Sequence, residues 1–217
     1  MKRRDFGKYL ILFVTIFLIT FAYIGGLDRL GRLYLRKGLQ AFENYRPGES
    51  LDQTVRYFRL SALLGNLSGK NILALFYAEG EGVQRNEAKA VQMFEDILRK
   101  DPFRPNTCYN LGKMYLYGKG VKANETNAFI LFRRAATGGF PIAQYYLAKC
   151  YESGVDGNLD PVEAYAWHLV SVANGTTAAH SRIRDLKDVL TPDQVAFAES
   201  RSIELDANLP RTYDWDR

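Results

Sequence analysis

Residues 110–121 of this 217-residue chain read Asn-Leu-Gly-Lys-Met-Tyr-Leu-Tyr-Gly-Lys-Gly-Val, and this stretch decides the fold. Its second half, a tyrosine three residues before Gly-x-Gly-Val, also occurs 38 residues earlier, at 77–83. A shorter copy with a single glycine follows 36 residues later, at 151–155. A period of this size indicates stacked helical hairpins, because each hairpin can bury its apolar face only against its neighbours.

The apolar residues of each copy are spaced as in an α-helix. In the quoted stretch, Leu111, Met114 and Tyr115 stand at positions i, i+3 and i+4 and therefore share one helical face. We call this helix the A helix of its hairpin and predict that it ends at a glycine in the left-handed conformation. A second glycine then allows a tight return into the B helix. The predicted turn glycines are Gly80, Gly82, Gly118, Gly120 and Gly154.

The pattern resembles the Sel1-like repeat, a relative of the tetratricopeptide repeat with a longer turn between its two helices. The resemblance implies an all-α fold, a short right-handed α-solenoid, which we place at residues 51–175. It also implies an adaptor or scaffold for the assembly of membrane or envelope complexes. The residues that carry it are 110–121, Asn127-Ala128, Phe132-Arg-Arg-Ala-Ala136, Gly138, Ala143-Gln-Tyr-Tyr-Leu147 and Glu163-Ala-Tyr-Ala-Trp167.

The A helices of such a solenoid present one curved face to solvent. In the second and third hairpins, this face carries aromatic and cationic side chains, which serve as anchors in protein interfaces. The predicted partner-binding residues are Tyr109, Lys113, Tyr117, Tyr145 and Lys149.

An uncharged, apolar segment of 19 residues, 9–27, follows a basic N-terminus at residues 1–8. As a helix it would be roughly 28 Å long, close to the thickness of the hydrocarbon core. We predict an uncleaved transmembrane signal anchor. A cleaved signal peptide is the alternative, which the length of the apolar run and the lack of an A-x-A cleavage site disfavour.

The orientation of this anchor does not follow from flanking charge, because four basic residues precede it and four follow within ten residues. The short basic start is like that of a secretory signal. We therefore expect a single-pass protein of the bacterial inner membrane with a cytoplasmic N-terminus and a periplasmic repeat domain.

The segments around the repeats have their own patterns. Residues 28–50 predict an amphipathic juxtamembrane helix whose basic side chains meet anionic headgroups. Residues 176–205 predict capping helices, the second of which begins at Thr191 with Gln194 completing a capping box. Residues 206–217 lack periodicity and predict a flexible tail; the alternative is a short peptide that docks on a partner.

The net charge of +5 first suggests a nucleic-acid partner. Residues 1–46, however, hold nine basic and three acidic side chains, a net charge of +6, whereas residues 47–217 sum to −1. A groove that follows phosphates needs clustered positive charge on the folded part of a protein. We therefore expect no nucleic-acid partner, and the positive charge instead flanks the predicted anchor.

The sequence contains no recognisable catalytic, metal or cofactor site. His168 and His180 are twelve residues apart, not at the i, i+4 spacing of a helical metal site, and His168 stands where the sister repeats have phenylalanine. We therefore expect a packed imidazole, no cofactor and no small-molecule substrate. Cys108 and Cys150 should be free, packed thiols, because the predicted hairpin geometry separates them by more than a disulfide can span.

Together these observations predict a non-enzymatic, membrane-anchored scaffold whose partners belong to a multi-subunit complex of the bacterial inner membrane or envelope. The alternative is a periplasmic protein that binds or processes peptidoglycan, as proposed for some Sel1-like proteins with cysteine-paired repeats. This chain does not carry a cysteine pair in each repeat.

Overall fold

The computed structural model describes residues 25–157 and 159–210, with only the backbone of Asp156. This described part contains α-helices and short 3₁₀ turns and has no strand. It divides into two compact units that meet in sequence at Arg85 and Asn86. The division falls inside the segment predicted as one solenoid, 51–175.

The first unit contains three helices: α1 (Gly26–Glu43), α2 (Asp52–Leu63) and α3 (Leu67–Glu79). Helices α1 and α2 pack closely because α1 carries glycine where the two meet. A Cβ built on Gly38 would lie 2.6 Å from the ring of the fully buried Phe58. The Ser61 hydroxyl, also fully buried, donates a hydrogen bond of 2.8 Å to the carbonyl of Gly31.

The second unit contains α4 (Glu87–Lys100), α5 (Pro105–Tyr117), α6 (Glu125–Thr137), α7 (Pro141–Ser153), α8 (Pro161–Ala173), α9 (His180–Val189) and α10 (Pro192–Ala207). Helices α5 and α6 form one A–B hairpin, and α7 and α8 form the next. Small residues let the A and B helices approach each other. A Cβ built on Gly112 of α5 would lie 2.8 Å from the ring of the buried Phe132 of α6.

The five glycines named from the sequence follow the ends of α3, α5 and α7, where Gly80, Gly118 and Gly154 are the C-cap residues. All five have positive φ, from 60° to 80°, in the region that glycine adopts without steric cost. At Gly120 the neighbours exclude a side chain as well, because a Cβ there would lie 2.3 Å from the carbonyl carbon of Glu87. The turn after α5 therefore packs directly on the backbone at the start of α4.

The B helices begin at side-chain caps. The Asn124 carboxamide accepts a hydrogen bond from the Asn127 backbone N–H, and the Asp160 carboxylate accepts from the N–H groups of Val162 and Glu163. These caps satisfy N–H groups that have no partner within the helix. They explain why α6 and α8 begin at these residues.

The last two helices close the second unit against α8. The predicted capping box is confirmed: Thr191 and Gln194 exchange side-chain hydrogen bonds with each other's backbone N–H. Arg201 of α10 forms an ion pair of 2.9 Å with Glu163 of α8. Helix α10 ends at Ala207, two residues beyond the predicted boundary at 205. Leu209, just after the helix, is 9% exposed.

The N-terminal predictions fall mostly outside the described residues. The basic segment 1–8 and residues 9–24 of the predicted anchor lie outside the described part. Of the anchor's remaining residues, 25–27, the last two begin α1. Among the residues that the structure does describe, no helix is long and apolar enough to cross a membrane. Helix α1 ends at Glu43 and not at the predicted residue 50, because a turn with Pro47 and Gly48, φ 99°, follows. Residues 211–217 of the predicted tail also lie outside the described part.

Candidate protein-binding face

The structure brings the five predicted partner-binding residues together on the A helices of two consecutive hairpins. On α5 they stand four residues apart, and on α7 the tyrosine and lysine have the same spacing, so each set lies along one helical face. We call them, together with Tyr146, the tyrosine–lysine face. Its members are Tyr109, Lys113, Tyr117, Tyr145, Tyr146 and Lys149.

Tyr146 joins the α5 and α7 parts of this face. Its ring centroid lies 5.6 Å from that of Tyr109 and 5.6 Å from that of Tyr145, both in edge-to-face geometry. Its hydroxyl oxygen is 3.5 Å from that of Tyr117. Tyr146 is not among the residues predicted from the sequence, because the prediction takes one residue per helical turn. The adjacent tyrosines at 145 and 146 are the feature of the sequence from which Tyr146 could have been predicted.

The rings of the face rest on two phenylalanines, the buried Phe132 and the half-buried Phe140. Tyr146 lies 5.0 Å from the Phe132 ring and Tyr109 lies 5.2 Å from the Phe140 ring, both measured between centroids. Aromatic contacts of this kind add to the stabilisation from burial and restrict ring motion. Tyr117, by contrast, is 54% exposed and its ring is available to solvent.

The two lysines lie over tyrosine rings. The Lys113 Nζ is 5.5 Å from the Tyr109 centroid, and the Lys149 Nζ is 5.8 Å from Tyr145 and 5.9 Å from Tyr146. These distances fit cation–π contacts. Within the described residues, neither ammonium group forms an ion pair with a carboxylate.

The half-buried phenols of Tyr109 and Tyr146 are proton donors at neutral pH. Burial raises the pKa of Tyr109, and burial together with the Tyr117 hydroxyl raises the pKa of Tyr146. Both hydroxyls therefore stay protonated well above pH 7. The face thus offers positive charge, O–H donors and aromatic surface.

A buried charge cluster supports the face from behind. His168 of α8 is fully buried, as expected from its position in the repeat, and its ring centroid is 5.5 Å from that of Tyr145. Its Nε2 lies 2.5 Å from the Glu152 carboxylate of α7. Arg182 of α9 donates hydrogen bonds to both oxygens of the same carboxylate. The cluster therefore ties α7, α8 and α9 together.

The Glu152 carboxylate is ionised in this cluster. Burial alone would raise its pKa, but the hydrogen bonds from His168 and Arg182 outweigh burial and lower it below the usual range. The guanidinium of Arg182 compensates the negative charge. The cluster has no signature in the sequence, because its members come from three helices and the pairing of Glu152 with Arg182 spans 30 residues.

The described residues do not hold a reactive thiol or a metal cluster. Cys108 and Cys150 are free and buried, and burial raises the pKa of both thiols to about 11. A protonated, buried thiol is a poor nucleophile. Within the described part of the chain, no group of three or more His, Cys, Asp or Glu residues could hold a metal ion.

Comparison with known families agrees with the hairpin geometry. The model of the Sel1 repeat matches residues 69–95, 105–140 and 141–175. The second match spans α5 and α6, and the third spans α7 and α8. The tyrosine–lysine face therefore belongs to the second and third matched repeats.

The relatives are regulators and localisation factors. An exopolysaccharide production negative regulator of Rhizobium leguminosarum bv. viciae is 29% identical over 138 residues, which are 58% of this chain and 51% of that protein. The localization factor PodJL of Caulobacter vibrioides is 36% identical over 83 residues, 38% of this chain and 6% of that protein. The chain thus spans about half the length of the exopolysaccharide regulator.

A solved structure supports the fold. A protective antigen of uropathogenic Escherichia coli strains, described as displaying an SLR fold, superposes with a TM-score of 0.62 at 25% sequence identity. The match covers 82% of this chain and 38% of that protein. The names of the relatives, regulators and a localisation factor, are consistent with the predicted non-enzymatic scaffold for protein interactions. The described part of the chain is therefore all-α, and its residues 69–95, 105–140 and 141–175 match the Sel1 repeat.

Proposed function

We propose that this protein is a membrane-anchored scaffold that binds a protein partner through the tyrosine–lysine face. In this proposal the segment 9–27 anchors the chain in a bacterial inner membrane, the repeats lie in the periplasm, and the partner belongs to an envelope complex. The observation that carries the proposal is the clustering of aromatic and cationic side chains on the A helices of two consecutive repeats, where Tyr117 and Lys149 are exposed and the other four are half-buried.

The repeat fold does not require these side chains. The first matched repeat has Asn71 and Leu75 at the positions that correspond to Tyr109 and Lys113, 38 residues earlier in the sequence. The glycines and alanines of the hairpins, in contrast, recur because packing demands them. Residues that vary while the fold persists are available for recognition, and tyrosine is enriched among the residues that dominate binding energy.

The face is also preorganised for binding. The Phe132 and Phe140 rings support the tyrosines, and the lysines are held over tyrosine rings at distances below 6 Å. A partner would therefore lose less free energy to the ordering of side chains. An interface built on helices is more rigid than one built on loops.

The envelope setting is supported by the apolar segment between two basic clusters and by the name of one relative. Exopolysaccharide, the product named for the Rhizobium leguminosarum regulator, is an extracellular polymer. A reporter fused after Arg217 tests the orientation. Phosphatase activity without β-galactosidase activity would support a periplasmic repeat domain, and the reverse result would refute it.

The scaffold itself is tested by purifying the full-length chain in mild detergent and identifying co-purifying proteins by crosslinking and mass spectrometry. The variant Tyr117→Ala/Lys149→Ala should lose a stoichiometric partner that the wild type retains. The matched control, Phe103→Ala/Lys122→Ala, removes an exposed aromatic residue and an exposed lysine outside the face and should retain it.

Recovery of a lone monomer from the wild type, or equal loss of the partner in both variants, would refute the proposal. Retention of the purified chain on isolated sacculi, without other proteins, would favour the peptidoglycan-directed alternative.

A further inference from the structure

We propose that the tyrosine–lysine face binds an extended, acidic segment of its protein partner, with two carboxylates about three residues apart. This inference rests on the proposed function and names the chemistry of the partner. It is drawn from the charge, spacing and hydrogen-bonding capacity of the face.

The tyrosine–lysine face carries positive charge. Helix α5 contains no acidic residue, and the one acid of α7, Glu152, is 11% exposed and bonded to His168 and Arg182. The ammonium groups of Lys113 and Lys149 have no carboxylate partner among the described residues. A partner that brings carboxylates would meet two available cations and no exposed acid on these two helices.

The spacing of the two cations selects an extended segment. Tyr146 of α7 contacts Tyr109 and Tyr117 of α5, so the two helices are neighbours. Lys113 and Lys149 occupy corresponding positions on them, and their separation therefore follows the usual distance between neighbouring helices, about 10 Å. In a polyproline II helix, residues three apart lie on the same face and are separated by about 9 Å. Two carboxylates at this spacing can therefore reach both lysines at once.

The tyrosines between the lysines suit the rest of such a segment. An extended backbone has carbonyl groups without internal hydrogen bonds. The hydroxyls of Tyr117 and Tyr146, 3.5 Å apart, share one hydrogen bond between them, which leaves one O–H that can donate to such a carbonyl. The exposed ring of Tyr117 offers apolar contact to a side chain that lies between the two carboxylates.

Selection from a random peptide library tests the inference and does not require an identified partner. A library of dodecapeptides made by mRNA display is selected on the immobilised full-length chain in detergent micelles, in about 50 mM salt. We expect enrichment of sequences with two carboxylates about three residues apart. The strongest peptide is then labelled with fluorescein and titrated by fluorescence anisotropy.

The variant Lys113→Gln/Lys149→Gln should weaken binding of this peptide by up to about 25-fold, because each of the two ion pairs contributes up to about fivefold. The matched control, Lys122→Gln/Lys187→Gln, removes the same charge from outside α5 and α7 and should bind as the wild type does. Circular dichroism of both variants establishes that they are folded.

The possible failures are distinguishable. If the selected peptides are not acidic but bind the Tyr117→Ala variant of the protein more weakly than the wild type, this inference is overturned and the scaffold proposal stays intact. Enrichment that is equal on the wild type and on Tyr117→Ala/Lys149→Ala would overturn both. Equal weakening in the two lysine variants would show that the charge effect is not specific to the face, which also overturns the inference.

Discussion

The substitution Gly120→Ala should destabilise the second unit far more than the same substitution at a glycine in open space. Gly120 has a φ of 68°, and a Cβ there would lie 2.3 Å from the carbonyl carbon of Glu87 and 2.5 Å from the backbone nitrogen of Ala88. Both contacts are with backbone atoms, which cannot rotate away. The turn or the start of α4 must therefore shift.

The expected free-energy cost has two parts. An alanine at positive φ costs roughly 1–2 kcal/mol. The close contact adds about 1–3 kcal/mol, the usual range for overpacking a closely packed region. The matched control is Gly175→Ala, because Gly175 has a φ of 96° and no atom within 4 Å of a built Cβ. Gly175→Ala should therefore show only the free-energy cost of an alanine at positive φ.

Urea unfolding of the full-length chain in mild detergent, followed by far-ultraviolet circular dichroism, measures both variants. We expect Gly120→Ala to lower the free energy of unfolding by about 1–3 kcal/mol more than Gly175→Ala does. Equal losses in the two variants would refute the contact between the turn after α5 and the start of α4. They would show that only the backbone conformation of glycine matters at this position.

Three further predictions concern the buried groups of the second unit. Glu152→Gln should lower the free energy of unfolding at pH 7 by about 1–3 kcal/mol, because the hydrogen bonds to His168 and Arg182 lose their charged acceptor. Since the folded-state pKa of Glu152 is lowered, this stabilisation is present above the ordinary glutamate pKa and is lost as the pH falls through the folded-state pKa. The variant and the wild type should therefore converge in acid urea titrations, and a constant difference from pH 7 to pH 2 would contradict the ionised carboxylate. Cys108 and Cys150, with pKa values near 11, should react with a thiol reagent at pH 8 only after unfolding in urea, and rapid labelling of the native chain would contradict their burial. Replacement of Tyr146, which is half-buried, by alanine should cost about 1–3 kcal/mol, and Tyr146→Phe, which keeps the ring contacts, should cost clearly less in the same assay.

The hairpins could be predicted from the sequence because their determinants are local. A helix that ends at Gly118, a turn through Gly120 and a cap at Asn124 lie within seven residues, and each depends only on backbone conformation and nearby hydrogen bonds. The 36–38-residue period then fixes which helices neighbour each other. This is why five of the six residues of the tyrosine–lysine face could be named in advance.

Contacts made by helices that lie outside the repeats could not be predicted in this way, because the repeat period says nothing about them. Gly38 of α1 fits against the Phe58 ring, and nothing in the repeat pattern indicates where α1 meets α2. The ion pair between Glu152 and Arg182 depends on the register of α9, which lies after the last repeat. The last turn of α10 also makes a tertiary contact, since Asp206 accepts a hydrogen bond from Asn174.

Site-specific photo-crosslinking in living cells of the native host tests the central claim most directly. Tyr117, which is exposed on the tyrosine–lysine face, is replaced by p-benzoylphenylalanine, and Phe103, which is exposed outside the face, is replaced in a parallel strain. We predict a light-dependent adduct of one defined mass with a protein partner from position 117 and none from position 103. The absence of an adduct at position 117, or the same adduct from both positions, would contradict a scaffold that binds its partner through this face.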